Sequence, residues 1–225
     1  MNLIVIALAP VLIIAIYIYV RDKYEREPVR LLLFSLIVGS IITIPVVFVE
    51  GILSAYGKDF SALTSVAWNA FIVAAFTEEL FKFCGLYLLI WHNRNFNEKF
   101  DGIVYACFIA LGFAGVENIL YVTQGGMGVG ITRAFTATPA HALFGVMMGY
   151  QFGLARFYPK ERWWRLFLAI LLPVLLHGIY DFILMSGYPY LLVIFLPYLI
   201  FLWLFGFRRI RQLSERSIYR RITKS

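Results

Sequence analysis

Seven ionisable side chains sit inside stretches that are otherwise apolar: Glu78, Glu79, Lys82, Glu117, His141, His177 and Asp181. Residues four apart share a helical face, which pairs Glu78 with Lys82, Phe113 with Glu117, and His177 with Asp181. Two adjacent carboxylates in a low-dielectric setting do not both ionise easily, so one tends to keep a proton while the other serves as a base. Such a base can deprotonate a water for attack on a peptide carbonyl, while a histidine stabilises the oxyanion or protonates the leaving amine. Lys82, one turn on, helps to hold the negative charge, and Asp181 orients His177. No Ser or Cys is convincingly paired with a base, so a covalent route is not favoured. Glu79, Glu117, His141 and His177 also supply zinc-ligand types, but no His-Glu-x-x-His helix fixes them. The expectation is therefore no cofactor as the first reading, with zinc possible as the second.

These groups need elements to carry them. Of the 225 residues, 61% are hydrophobic and 15% charged, with a mean hydropathy of +0.80, more apolar surface than a soluble fold can hide. The charged residues fall between apolar runs of about 20 residues, the length that crosses a hydrocarbon core as a helix. The sequence predicts an all-α, polytopic bundle of about seven spans: 2–20, 31–49, 66–91, 102–123, 134–155, 166–186 and 188–206. Residues 1–206 form the membrane domain and 207–225 a basic tail. At the helical rise, Glu117 lies about 9 Å, His141 about 11 Å, His177 about 14 Å and Asp181 about 8 Å below the outer ends of their spans. Glu78 and Glu79 come out near the midplane. Four helices thus bring their polar groups into one layer, displaced toward the outer face.

Charge sets the topology. Segments 21–30, 93–100, 156–165 and 207–225 hold 4, 2, 4 and 7 of the 20 Lys and Arg residues, whereas the alternate loops hold only Lys58 and Arg133. By the positive-inside rule the N-terminus lies outside and the C-terminus in the cytoplasm, with loops 50–65, 124–133 and 186–188 outside. The net charge of +7 is then a topology signal and a lipid-facing tail, including Arg220, Arg221 and Lys224, and no nucleic-acid partner is expected. The basic cluster after the first span follows the apolar run instead of preceding it, so that span reads as a retained helix and not a cleaved signal. Cys84 and Cys107 fall in apolar runs and read as small hydrophobes. Glu50 and Asp101 fall at span ends, where solvation or capping explains them.

An ionised Asp, Lys or Arg at a helix centre costs about 2.5 to 3.5 kcal/mol, so several together argue against decoration. Ion pairs that merely lock a bundle would account for Glu78 with Lys82 and His177 with Asp181. They would leave the second glutamate, Glu117 and His141 without a purpose. A proton-coupled transporter uses similar residues but should show paired, interrupted helices in corresponding halves, and no convincing repeat is visible. A non-catalytic scaffold or immunity-type protein is the third class.

The pattern Glu78-Glu79-x-x-Lys82, Phe113-x-x-x-Glu117, His141, His177-x-x-x-Asp181 resembles the PrsW family of bacterial intramembrane proteases. That family is distantly similar to the type II CAAX prenyl endopeptidases, whose motifs run Glu-Glu-x-x-x-Arg and Phe-x-x-x-His. Lys82 stands one position earlier than that arginine, and Glu117 stands where those relatives carry histidine, which argues against a prenyl-protein substrate. The resemblance implies a multi-pass peptidase of the bacterial cell membrane. It implies the first, extracytoplasmic-side cut in a single-span, membrane-anchored anti-sigma factor, leading to release of a stress-response sigma factor.

Overall fold

A computed structural model describes residues 3–217 and Tyr219; Arg220, Arg221 and Lys224 lie outside the described residues. Helices follow one another in the order α1 (Leu3–Arg21), α2 (Val29–Ile41), α3 (Thr43–Tyr56), α4 (Ala62–Ala67), a π-helix (Trp68–Phe76), α5 (Thr77–Ile90), α6 (Lys99–Phe135), α7 (Ala137–Phe157), a 3-10 turn (Pro159–Glu161), α8 (Arg162–Met185) and α9 (Pro189–Ser214). The described residues contain no strand.

Five continuous stretches are long and apolar enough to cross a membrane: Leu3–Arg21, Val29–Tyr56, Lys99–Phe157, Pro159–Met185 and Pro189–Ser214. This differs from the seven expected for two physical reasons. The fourth and fifth expected spans run together through Thr136 into one 59-residue stretch. The third, expected as one helix over 66–91, runs helically through α4, the π-helix and α5 but carries Glu78, Glu79 and Lys82 at the centre of its apolar run. The last helix also continues beyond Phe207 to Ser214, with Ile210 and Leu213 buried.

The centre of the molecule is the α6–α7 hairpin. Gly102 lies against Gly149 and Gly153, Gly145 against Ala106, and Asn118 bonds Thr138, so the two helices run antiparallel. Nearly all of α7 is buried on every side, including Phe144, Met147, Met148 and Phe152. A helix with no polar face belongs in the middle of a bundle. Helices α1 and α2 pack on α6, while α8 and α9 pack on α7, and the π-helix lies against α8. The outer helices turn residues such as Phe48 (71% exposed) and Val193 (76% exposed) away from the protein, as lipid contact requires.

Close approach is what the hairpin demands of its glycines. A Cβ on Gly149 would stand 2.2 Å from the Gly102 carbonyl oxygen, a backbone atom that cannot swing aside. Gly149→Ala is expected to separate the helices and destabilise the protein by about 1 to 3 kcal/mol, the usual cost of overpacking. Thermal unfolding in detergent checks this: an unchanged midpoint would mean that the hairpin is not so closely packed.

The expected outer loop 124–133 is helical except at Gly126, whose φ of 74° lies in the left-handed region that glycine enters without steric cost. That single residue breaks α6 and turns 127–135 back toward the membrane domain, placing Gly130 beside Val122 and Ile6.

Candidate active site

The π-helix supplies the first part of the site. Its wider turn ends at Phe76, separated from Glu78 and Glu79 by Thr77 alone, and Thr77 Oγ1 donates to the Ile72 carbonyl at 3.2 Å. Such insertions are frequent at functional positions because they re-aim the side chains that follow. Glu78, Glu79 and Lys82 then fall on the buried face of α5.

Lys82 Nζ donates to Glu78 Oε2 at 2.8 Å and to Glu79 Oε1 at 2.8 Å, and bonds His141 Nδ1 at 3.2 Å. An ammonium has three protons and these are three acceptors, so the buried cation is fully satisfied. It also lies 4.2 Å from the centre of the Phe113 ring. Because lysine only donates, His141 Nδ1 accepts; its Nε2–H then donates to Glu117 Oε2 at 2.8 Å.

Helix α8 brings the second histidine. His177 Nδ1 lies 3.0 Å from Glu79 Oε1 and its Nε2 lies 3.3 Å from Asp181 Oδ2, so the ring bridges two carboxylates. Phe144 stacks on it at 4.8 Å, and the His141 ring stands 5.3 Å away. All seven residues expected from the sequence therefore meet in one network spanning α5, α6, α7 and α8. A cavity opens onto it, lined by Glu78, Glu117, His141, His177 and Asp181 but not by Glu79 or Lys82. Glu78 borders the cavity, whereas Glu79 lies beneath, fully buried.

Two residues joined the site that sequence reasoning had placed elsewhere. Glu50, expected to be solvated or capping, lines the same cavity from the middle of α3. Arg133, expected in an outer loop, donates from Nη2 to Glu117 Oε2 at 3.1 Å and from Nε to Asn118 Oδ1 at 2.8 Å. On a straight helix these partners would be about 24 Å apart; the break at Gly126 closes that gap. The glycine run 125–130 was the available signal. Arg133→Gln is expected to free the Glu117 carboxylate and lower turnover roughly 10- to 100-fold, the worth of a hydrogen bond to a charged group. Steady-state kinetics beside a thermal midpoint within a few degrees of the parent would check it.

Glu78, Glu79 and His141 each offer a ligand atom within 4.8 Å of the others. Glu79 Oε2 is buried with no hydrogen-bond donor. Two carboxylates and one imidazole suit zinc, so the residues fit a metal in donor type. In this structure the ammonium of Lys82 stands among the same three groups.

The family model described as PrsW family intramembrane metalloprotease matches residues 27–206. The chain is similar to the protein named Protease PrsW of Geobacillus kaustophilus (strain HTA426), with 36% identity over 94% of this chain and 92% of that protein. The Protease PrsW of Oceanobacillus iheyensis is 37% identical over 94% of this chain and 95% of its own length. That of Bacillus subtilis (strain 168) is 36% identical over 91% and 92%. No solved structure matches.

Proposed function

The chain belongs to the PrsW family of intramembrane metalloproteases, and from that premise we propose that it cuts a single-span, membrane-anchored anti-sigma factor on the extracytoplasmic side, which leads to release of a stress-response sigma factor. It is a peptidase and a multi-pass bacterial membrane protein. The observation that carries the finer reading is the cavity over Glu78, Glu117, His141, His177 and Asp181, which lies among helices and not on a soluble domain. In the proposed topology the chain crosses seven times, counting α6 and α7 separately and α4 through α5 as one crossing. The N-terminus is outside, and the protease domain 1–206 is followed by a basic cytoplasmic segment. The asymmetric distribution of Lys and Arg supports that orientation.

Glu78 is the base in this reading, since it reaches the cavity and its Oε2 is held by Lys82. It takes a proton from the attacking water. His177, fixed by Asp181 and Glu79, protonates the leaving amine. Glu117 and Arg133 hold His141 toward Lys82, and Glu79 is a positioning residue that anchors Lys82 and His177 from below. Glu78, Glu79 and His141 are the residues that would hold a metal, and a metal there supplies Lewis-acid polarisation of the scissile carbonyl or of the water.

Coexpression with a single-span anti-sigma factor, followed by N-terminal sequencing of the released fragment, tests the proposal. A cut just outside the substrate's span, or within its outer half, is expected. A cut on the cytoplasmic side would contradict it. Chelation decides what the carboxylates hold: loss of cleavage that zinc restores puts a metal in the Glu78, Glu79 and His141 cluster, and undiminished cleavage leaves Lys82 as its cation.

A further inference from the structure

At the opposite end of α6, five side-chain oxygens are buried with no N–H or hydroxyl donor: Asp22 Oδ1, Glu25 Oε2, Glu27 Oε1, Asn97 Oδ1 and Asp101 Oδ1. Asp22, Glu27 and Asp101 are 1%, 3% and 0% exposed. The ligand atoms of Glu25, Glu27 and Asp101 lie within 4.8 Å of one another.

The other carboxylate oxygens are all committed. Asp22 Oδ2 accepts from the Glu27 backbone N–H at 3.0 Å, and Glu25 Oε1 accepts from Asn97 Nδ2 at 2.9 Å. Glu27 Oε2 accepts from the Tyr105 hydroxyl. Asp101 Oδ2 accepts from the backbone N–H groups of Asn97 at 2.8 Å and Glu98 at 2.7 Å, capping α6. Each carboxylate is thus held in orientation by one oxygen, while the Glu27 and Asp101 carboxyls face each other within hydrogen-bond reach. That is the arrangement in which an outer ring of hydrogen bonds aims ligands at a cation. Among the described residues no Lys or Arg pairs with these carboxylates, although the protein is strongly basic. Arg26, on the same link, lies over the Tyr19 ring at 5.5 Å and makes no ion pair with them.

We infer that Glu25, Glu27 and Asp101 form a site for a hard divalent cation of the calcium or magnesium class, with Asp22 and Asn97 holding the link and Glu25 in place. Three carboxylates with no nitrogen or sulfur among them select such a cation over zinc or copper. The site joins the link between α1 and α2 to the start of α6. It is about 24 Å along that helix from Glu117, so it is separate from the catalytic cluster. Its role is to clamp the non-catalytic end of the bundle and set the position of α6.

The test uses the full chain in detergent after EDTA treatment, titrated with calcium and with magnesium by calorimetry, beside Glu27→Gln, Asp101→Asn and Glu79→Gln proteins. One bound equivalent is expected in the parent and in Glu79→Gln, with affinity at least tenfold weaker in the other two. The same cation is expected to raise the thermal midpoint of the parent but not of Asp101→Asn. If neither carboxylate variant folds, terbium on the unaltered chain gives a second reading, with emission sensitised by Tyr105 and displaced by calcium. No binding by folded parent protein at millimolar cation would overturn the inference and leave shared protons between the carboxylates. Binding equal in all four proteins would also overturn it.

Discussion

Glu78→Gln is expected to lower peptide-bond cleavage by about 10²- to 10⁴-fold, the usual contribution of a positioned general base, while the protein remains inserted and abundant. Glutamine keeps the shape of the side chain and can still accept from Lys82, so the change removes basicity and little else. Glu78 lines the cavity, whereas Glu79 does not. Glu79→Gln is therefore expected to act by a different route, loosening Lys82 and His177, and its signature is an altered pH profile of kcat. Equal losses with identical pH profiles of the residual activity would argue that both glutamates handle the reacting water.

Lys82→Met is expected to have the largest effect on stability. The ammonium is the shared partner of Glu78 and Glu79, 2.8 Å from each, and all three side chains are buried. Removing one partner of a buried ion pair costs about 3 to 5 kcal/mol, because the remaining charge is left uncompensated. That is a large part of the about 5 to 15 kcal/mol by which a folded protein exceeds its unfolded state. Cleavage should vanish together with much of the folded protein. A double variant, Lys82→Met with Glu79→Gln, removes one of the orphaned carboxylates and should recover part of the stability without recovering activity. Thermal midpoints of the single and double variants measure that coupling. A double variant no more stable than Lys82→Met would show that the ammonium does not balance Glu79.

Much of this site was legible because helices convert spacing into contact. Glu78 with Lys82 and His177 with Asp181 pair within one helix at the expected four-residue interval. The depth argument also placed Glu117 and His141 in one layer, and the two histidine rings do meet. What escaped depends on backbone that hydropathy does not register. The left-handed turn at Gly126 carries Arg133 back to Glu117, although its position in a polar, glycine-rich segment suggested an outer loop. The π-helix before Glu78 leaves the composition of the span unchanged while altering which way its side chains point. The number of crossings was blurred for a similar reason, since a hairpin joined through Thr136 is one continuous apolar stretch. Asp101 was expected at a span end as a solvated or capping residue. It does cap α6 but is wholly buried, because the α1–α2 link folds over it. Counting basic residues in segment 21–30 hid the acids interleaved with them.

The most direct test of the catalytic reading is cleavage of a single-span anti-sigma factor by purified protein in liposomes, comparing the parent with Glu78→Gln, Glu79→Gln and His177→Ala. The account predicts a defined cut by the parent and none above background by Glu78→Gln or His177→Ala, with all four proteins equally folded. Parental rates in the Glu78→Gln and His177→Ala proteins would contradict it.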